Sequence, residues 1–86
     1  MSEVPKKILV VARHDKVEAL RMAAGLTLLD DEVKVASLGG LDESSEDVQL
    51  QLESLEFAEV PVQTLAENGA QEVASMMLNS DVVFFL

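Results

Sequence analysis

The residues best suited to chemistry are Arg13 and His14, which directly follow an apolar run. An arginine can hold a carboxylate, phosphate or sulfate through a bidentate pair of hydrogen bonds. His14 is the only histidine, and it would act as a base near neutral pH if a charged partner and a nucleophile stood beside it. The neighbouring Asp15 is expected to cap a helix, so the alternative interpretation is a surface loop histidine beside a helix start.

Two further loops complete the predicted ligand site. Gly39 and Gly40 end one apolar segment, and Asn68 precedes Gly69 at the start of a helical pattern. The helix starts at Asp15 and Gly69 would direct free N–H groups toward a small anion. We therefore predict a ligand site that consists of Arg13, His14, Gly39, Gly40 and Asn68. The sequence contains neither the G-x-G-x-x-G nor the G-x-x-x-x-G-K-[ST] motif of nucleotide-binding loops. The alternative is therefore that these segments are ordinary surface loops.

Other kinds of chemistry are disfavoured by the residue inventory. The chain has no cysteine, which excludes thiol catalysis, disulfides and cysteine-bound metals. The acidic segment 42–47 lacks the spacing of a calcium-binding loop, and it is typical of a solvated helix start. We predict no catalytic residue, no metal and no cofactor.

Hydrophobic periodicity predicts a regular alternation of strands and helices. Asp15 and Glu18 have the spacing of a capping box at the start of the first helix. The predicted strands are Ile8–Ala12, Glu32–Leu38, Glu59–Leu65 and Asp81–Leu86, and helices are predicted from Asp15, within Asp42–Phe57 and from Asn68.

This order predicts an α/β fold, with a small four-stranded parallel sheet and three helices on both faces. Right-handed crossovers predict a strand order of 2-1-3-4, with the first helix on one face and the other two on the opposite face. A ligand crevice is then expected between strands one and three. The last strand is too apolar to stay bare, so Val82 and Phe84 are predicted to form an interface with another subunit.

Length and charge narrow the functional class. The 86 residues, with a net charge of −10, are expected to form one domain spanning residues 1–86. All six bases lie within residues 1–34, and from residue 35 onward there are ten acids and no base. This balance argues against binding to nucleic acid or anionic membranes. The short apolar runs argue against a membrane span or secretory signal, so a cytoplasmic protein is expected.

The pattern of these segments resembles the DsrE/DsrF-like family, the small α/β subunits of sulfur-relay complexes that include the TusB, TusC and TusD proteins. The resemblance rests on Lys7–Ala12, Ala19–Leu26, Glu32–Gly39, Ala70–Val73 and Asp81–Leu86. It implies a flavodoxin-like sheet and assembly into homo- or hetero-oligomers with related subunits. Active members of the family carry a persulfide on a cysteine, and the equivalent region here, about Val60–Asn68, has none. The resemblance therefore implies a non-catalytic relative.

Together these observations predict a non-catalytic oligomeric subunit that binds or organises other proteins, in association with sulfur-relay proteins. The alternative is a binder or sensor of a small anion or nucleotide-type ligand at the carboxyl ends of the strands. A third hypothesis, an enzyme with His14 as its base, lacks any recognisable catalytic motif in the sequence.

Overall fold

The computed structural model describes residues 6–28 and 31–86. It confirms the predicted α/β fold with a four-stranded, all-parallel sheet and three helices. The elements are β1 (Lys7–Ala12), α1 (Lys16–Leu26), β2 (Glu32–Leu38), α2 (Glu46–Phe57), β3 (Val62–Leu65), α3 (Ala70–Leu78) and β4 (Val82–Phe85). Among the described residues, no helix combines the length and the apolar character needed to cross a membrane.

The first two helices begin at side-chain caps. Asp15 Oδ1 accepts a hydrogen bond from the Glu18 backbone N–H at 3.3 Å, as its position predicts. Glu18 does not complete the capping box, because its carboxylate instead pairs with Arg21 at 2.9 Å. At α2, the hydroxyl of Ser45 accepts from the Val48 N–H.

The third helix begins differently from the prediction. Gly69 occupies the N-cap position of α3, and no described side chain caps this helix. Asn68 lies in the preceding turn, which is closed by a 2.8 Å bond from the Gly69 N–H to the Ala66 carbonyl. Of the α3 side chains, only Val73 is buried, so this helix is held to the sheet along a narrow stripe.

The strand order is 3-2-1-4, not the predicted 2-1-3-4. The difference concerns β3, which pairs with the outer side of β2, while β4 takes the place beside β1. Gln63 and Thr64 of β3 are exposed. An interior strand of a parallel sheet is covered on both faces. In such a position these two neighbouring polar side chains would be buried, which is unfavourable. The polar β3 therefore occupies an edge.

This order also changes which helices share a face. Helices α1 and α2 pack on the same face, over a core that includes Val10, Val35 and Leu55. Of the three described helices, only α3 lies on the other face, where it packs near Leu9 and Val11. The predicted grouping of α2 with α3 is therefore wrong, because a right-handed crossover from β2 to an outer β3 keeps α2 beside α1.

Candidate functional site

The sheet reverses its direction of growth between β1 and β4, so the crevice expected at a topological switch point lies there. The sequence predicted this crevice between strands one and three. Because β4, and not β3, pairs with β1, the crevice is expected between β1 and β4 instead. The β1–α1 loop, which carries Arg13 and His14, therefore faces the end of β4 at this point.

The backbone donors of that loop are already engaged. The N–H groups of Arg13, His14 and Asp15 converge on the carbonyl oxygen of Leu86, at 3.2, 2.9 and 3.2 Å. Such a cluster of N–H groups before a helix is suited to an anion. In this structure the chain's own carbonyl occupies the position, so the cluster joins β4 to the start of α1.

An open hollow of about 560 Å³ lies beside this cluster, on the face of α1 and α2. Arg13, His14 and Gly40 line it, so the structure brings together three of the five predicted ligand residues. Lys16 also lines the hollow, and its Nζ donates to the Gly40 carbonyl at 2.8 Å. This bond joins the loops that follow β1 and β2.

Lys16 was not among the predicted site residues. It follows the Asp15 cap directly, and that position at the start of α1 was the only signal. A first-turn side chain points back toward the helix N-terminus, which brings the ammonium group to the neighbouring loop.

The other two predicted ligand residues have different positions. Gly39 has φ +85°, and its N–H donates to the Leu65 carbonyl at 2.9 Å, so it forms the turn that ends β2. A Cβ at Gly39 would lie 3.0 Å from the Glu67 side chain. Asn68 is exposed in the turn before α3 and does not line the hollow. From the same β3–α3 loop, it is the Glu67 side chain that approaches Gly39.

The hollow has an acidic rim at Asp42. Hydrogen bonds from the Ser44 hydroxyl and then the Ser44 backbone N–H lower the pKa of Asp42 from its ordinary value of 3.8. These bonds shape the turn before α2 and keep a negative charge at the rim. The described residues contain no group of three or more acidic, histidine or cysteine side chains that could hold a metal ion.

A second hollow, of about 370 Å³, lies on the opposite face at the same end of the sheet. Its walls are mainly apolar, with Phe85 of β4 and Met77 of α3, and Arg13 supplies a positive charge at its edge. Arg13 therefore borders both hollows. The Phe85 side chain is 50% exposed here, although it belongs to a sheet strand.

Strand β4 is the most exposed apolar element of the sheet. The predicted interface residue Phe84 has 36% of its side chain exposed, whereas Val82 is half-buried against the larger core. Among the residues that the structure describes, β4 pairs with β1 alone, so its other side is an open edge there.

No protein-family model, curated protein or solved structure matches this chain.

Proposed function

We propose that this chain is a non-catalytic, oligomeric binding subunit, and that it joins other α/β subunits through the open edge of β4. The observation that carries the proposal is the exposure of Phe84 and Phe85 on a strand whose second side pairs with none of the described strands. Unpaired N–H and C=O groups form a template for another strand, and flanking aromatic side chains add apolar area on association.

The arrangement at the β1–α1 loop supports the same function. The Leu86 carbonyl engages three N–H groups that an anion would otherwise use. It thereby fixes the end of β4 against α1, and a fixed edge loses less conformational entropy on association than a free one. Rigid presentation of an edge is suited to a scaffolding subunit.

We further propose that its partners belong to a sulfur relay, as the resemblance to DsrE/DsrF-like subunits implies. A chain without cysteine cannot carry a persulfide, so the reactive thiol would belong to the partner. The role left to this chain is to hold that partner in an assembly.

The experiment compares the wild-type protein with two matched variants, Phe84→Asp and Phe57→Asp. Phe57 is 94% exposed on α2, away from β4, so its substitution controls for adding a charge in place of an aromatic ring. Each tagged protein is captured from its native cells and examined by native mass spectrometry, and the partner is identified, purified and mixed with each protein again.

We expect the wild-type and Phe57→Asp proteins to bind a cysteine-bearing α/β subunit, and Phe84→Asp to bind it at least about tenfold more weakly. Circular dichroism checks that Phe84→Asp remains folded. Equal binding by the folded Phe84→Asp protein would contradict the proposed surface. A partner without a reactive thiol would contradict the sulfur-relay role alone.

A second candidate function is binding of a small anion in the hollow beside α1. It is favoured by the convergence of Arg13, His14 and Lys16 on that hollow. Sulfate, sulfite, thiosulfate and nucleotides would be compared by thermal shift, with Arg13→Ala as the test variant and Arg21→Ala as the control. A rise in Tm that is lost only in Arg13→Ala supports this function, and no response to any of these ligands contradicts it.

A further inference from the structure

We propose that the hollow of about 370 Å³ between α3 and the sheet, here called the α3 hollow, binds a small apolar α-amino acid. Arg13 holds the carboxylate of this ligand, Glu67 holds its ammonium group, and the apolar walls surround its side chain. The inference is independent of the proposed function. It concerns the face of the sheet on which α3 packs, and neither the open edge of β4 nor the hollow beside α1.

Three neighbouring strands supply the floor of the α3 hollow at their carboxyl ends. Leu38 ends β2, Arg13 follows β1 and Phe85 ends β4, and all three residues line the hollow. Because β1 lies between β2 and β4, Arg13 is placed between the two apolar residues. The floor therefore combines apolar surface with one cation, as in sites where a few polar groups orient a mainly apolar ligand.

The opposite wall of the hollow comes from α3, where small residues leave space above the sheet. Ala70, Val73, Ala74 and Met77 have the spacing of one helical stripe, and all four line the hollow. Val73 is buried against the sheet, whereas the two alanines are exposed and too short to fill the space beside it. Met77 has a flexible thioether side chain that adapts to the shape of a ligand. This wall is apolar along its length, so it accommodates an apolar group.

Two opposite charges border the α3 hollow without pairing with each other. Arg13 and Glu67 both line it, and among the described residues neither side chain takes part in an ion pair. The Lys16 ammonium group also approaches Gly39 near Glu67, but it donates to the Gly40 carbonyl. A ligand with a carboxylate alone would meet the negative charge of Glu67, and an amine alone would meet the positive charge of Arg13. A ligand that carries both groups complements both residues.

The size of the α3 hollow favours a small ligand. Small-molecule sites typically have volumes of about 300–1,000 Å³, and this hollow is near the lower limit. A single amino acid suits it better than a nucleotide or a peptide. Phe85 is 50% exposed and Met77 is 38% exposed, so an apolar ligand group placed against them removes apolar area from water. An α-amino acid with an aliphatic or aromatic side chain meets these requirements.

The test is an NMR titration of the purified full chain at neutral pH with L-leucine and three matched analogues. Isocaproate lacks only the amino group of leucine, isoamylamine lacks only its carboxylate, and glycine lacks its side chain. We expect leucine to shift the backbone signals of the residues that line the α3 hollow. Each analogue should bind at least about tenfold more weakly, because each leaves one part of the site without its partner.

Two substitutions test the roles of the charged residues. Glu67→Gln keeps the shape of the side chain and removes its charge. It should weaken leucine binding at least about tenfold and leave isocaproate binding unchanged or tighter. Arg13→Gln should weaken the binding of both ligands. Glu53→Gln on α2 and Arg21→Gln on α1 change exposed residues that do not line the hollow, so both should bind leucine like the wild type.

The outcomes decide whether the α3 hollow is an amino-acid site. Leucine binding that exceeds the binding of every analogue and falls in Glu67→Gln supports the inference. The absence of any shift at the hollow with leucine overturns it. Isocaproate or isoamylamine binding as tightly as leucine also overturns it, because one of the two charged groups would then contribute nothing. Partner binding through Phe84 is measured separately, so the proposed function stands or falls by its own experiment.

Discussion

The two edges of the sheet differ in how they meet solvent. At the β3 edge, Gln63 and Thr64 are exposed and Pro61 immediately precedes the strand. At the β4 edge, all four residues are apolar, and both phenylalanines have a third or more of their side chain exposed. Polar residues and proline commonly prevent an edge from pairing with another chain. The difference indicates that β3 terminates the sheet, whereas β4 is suited to extend it.

The largest expected effect comes from an identical charge introduced at one position in each edge strand. Val83 is half-buried near α3 and Gln63 is exposed. Val83→Asp should lower the free energy of unfolding by about 2–4 kcal/mol, because it places a carboxylate among apolar side chains. Gln63→Asp should change it by less than about 0.5 kcal/mol. Urea denaturation of dilute protein measures both, and equal losses would refute the contrast between the edges.

A smaller effect is expected where the β3 edge is held to β2. Gly39 has φ +85° and donates its N–H to the Leu65 carbonyl. Gly39→Ala should cost about 1–2 kcal/mol, because a side chain is unfavourable in this backbone conformation and its Cβ would crowd Glu67.

Gly25→Ala serves as the control, since a Cβ there meets nothing within 4 Å and alanine favours the helix. We expect this variant to be as stable as the wild type or more so in thermal denaturation. A Gly39→Ala protein of wild-type stability would show that the turn adapts without this glycine.

The carboxylate of Asp81 helps to hold the start of β4 to β1, together with a 2.7 Å bond from the Asp81 N–H to the Lys7 carbonyl. Asp81 Oδ2 accepts a 2.9 Å hydrogen bond from the Lys7 N–H, which joins the starts of β4 and β1. Asp81→Ala should cost about 1 kcal/mol, and Asp81→Asn, which retains an acceptor, should cost less. Chemical denaturation compares the two variants. An alanine variant as stable as the asparagine variant would mean that the bond contributes nothing measurable.

The smallest effect concerns the acidic segment on the β3 half of the molecule. Hydrogen bonds from Ser44 lower the pKa of Asp42, so they favour the ionised carboxylate. The stabilisation is complete above the unfolded pKa and is lost as the pH falls through the lower folded value. Carbon-detected NMR titration should show the Asp42 pKa rising toward 3.8 in Ser44→Ala. An unchanged pKa in that variant would exclude Ser44 as the cause.

The sequence predicted the bounds of helices and strands well where they depend on residues close together in the chain. The β2 bounds agree with the prediction, and Asp15 caps α1 as expected, because both depend on residues within a few positions of one another. The start of α3 was predicted less well, since Asn68 and Gly69 are both plausible caps and the backbone of the turn decides between them.

The candidate site was predicted in part. Arg13, His14 and Gly40 line one hollow because they follow β1 and β2 at the carboxyl ends of these strands, which lie side by side. Gly39 and Asn68 are adjacent to that region in sequence but serve turns. Lys16 and Phe85 were missed, since their importance depends on which loop and which helix lie opposite them.

By itself, the sequence determined the alternation of strands and helices, the absence of thiol chemistry and the acidic character of the second half. These properties follow from composition and from hydrophobic periods that span only one element. The tertiary structure alone decided that β4 lies beside β1, that α2 lies beside α1, and that the Leu86 carbonyl binds the β1–α1 loop. Those outcomes depend on contacts between distant segments, where the burial of one strand competes with the burial of another.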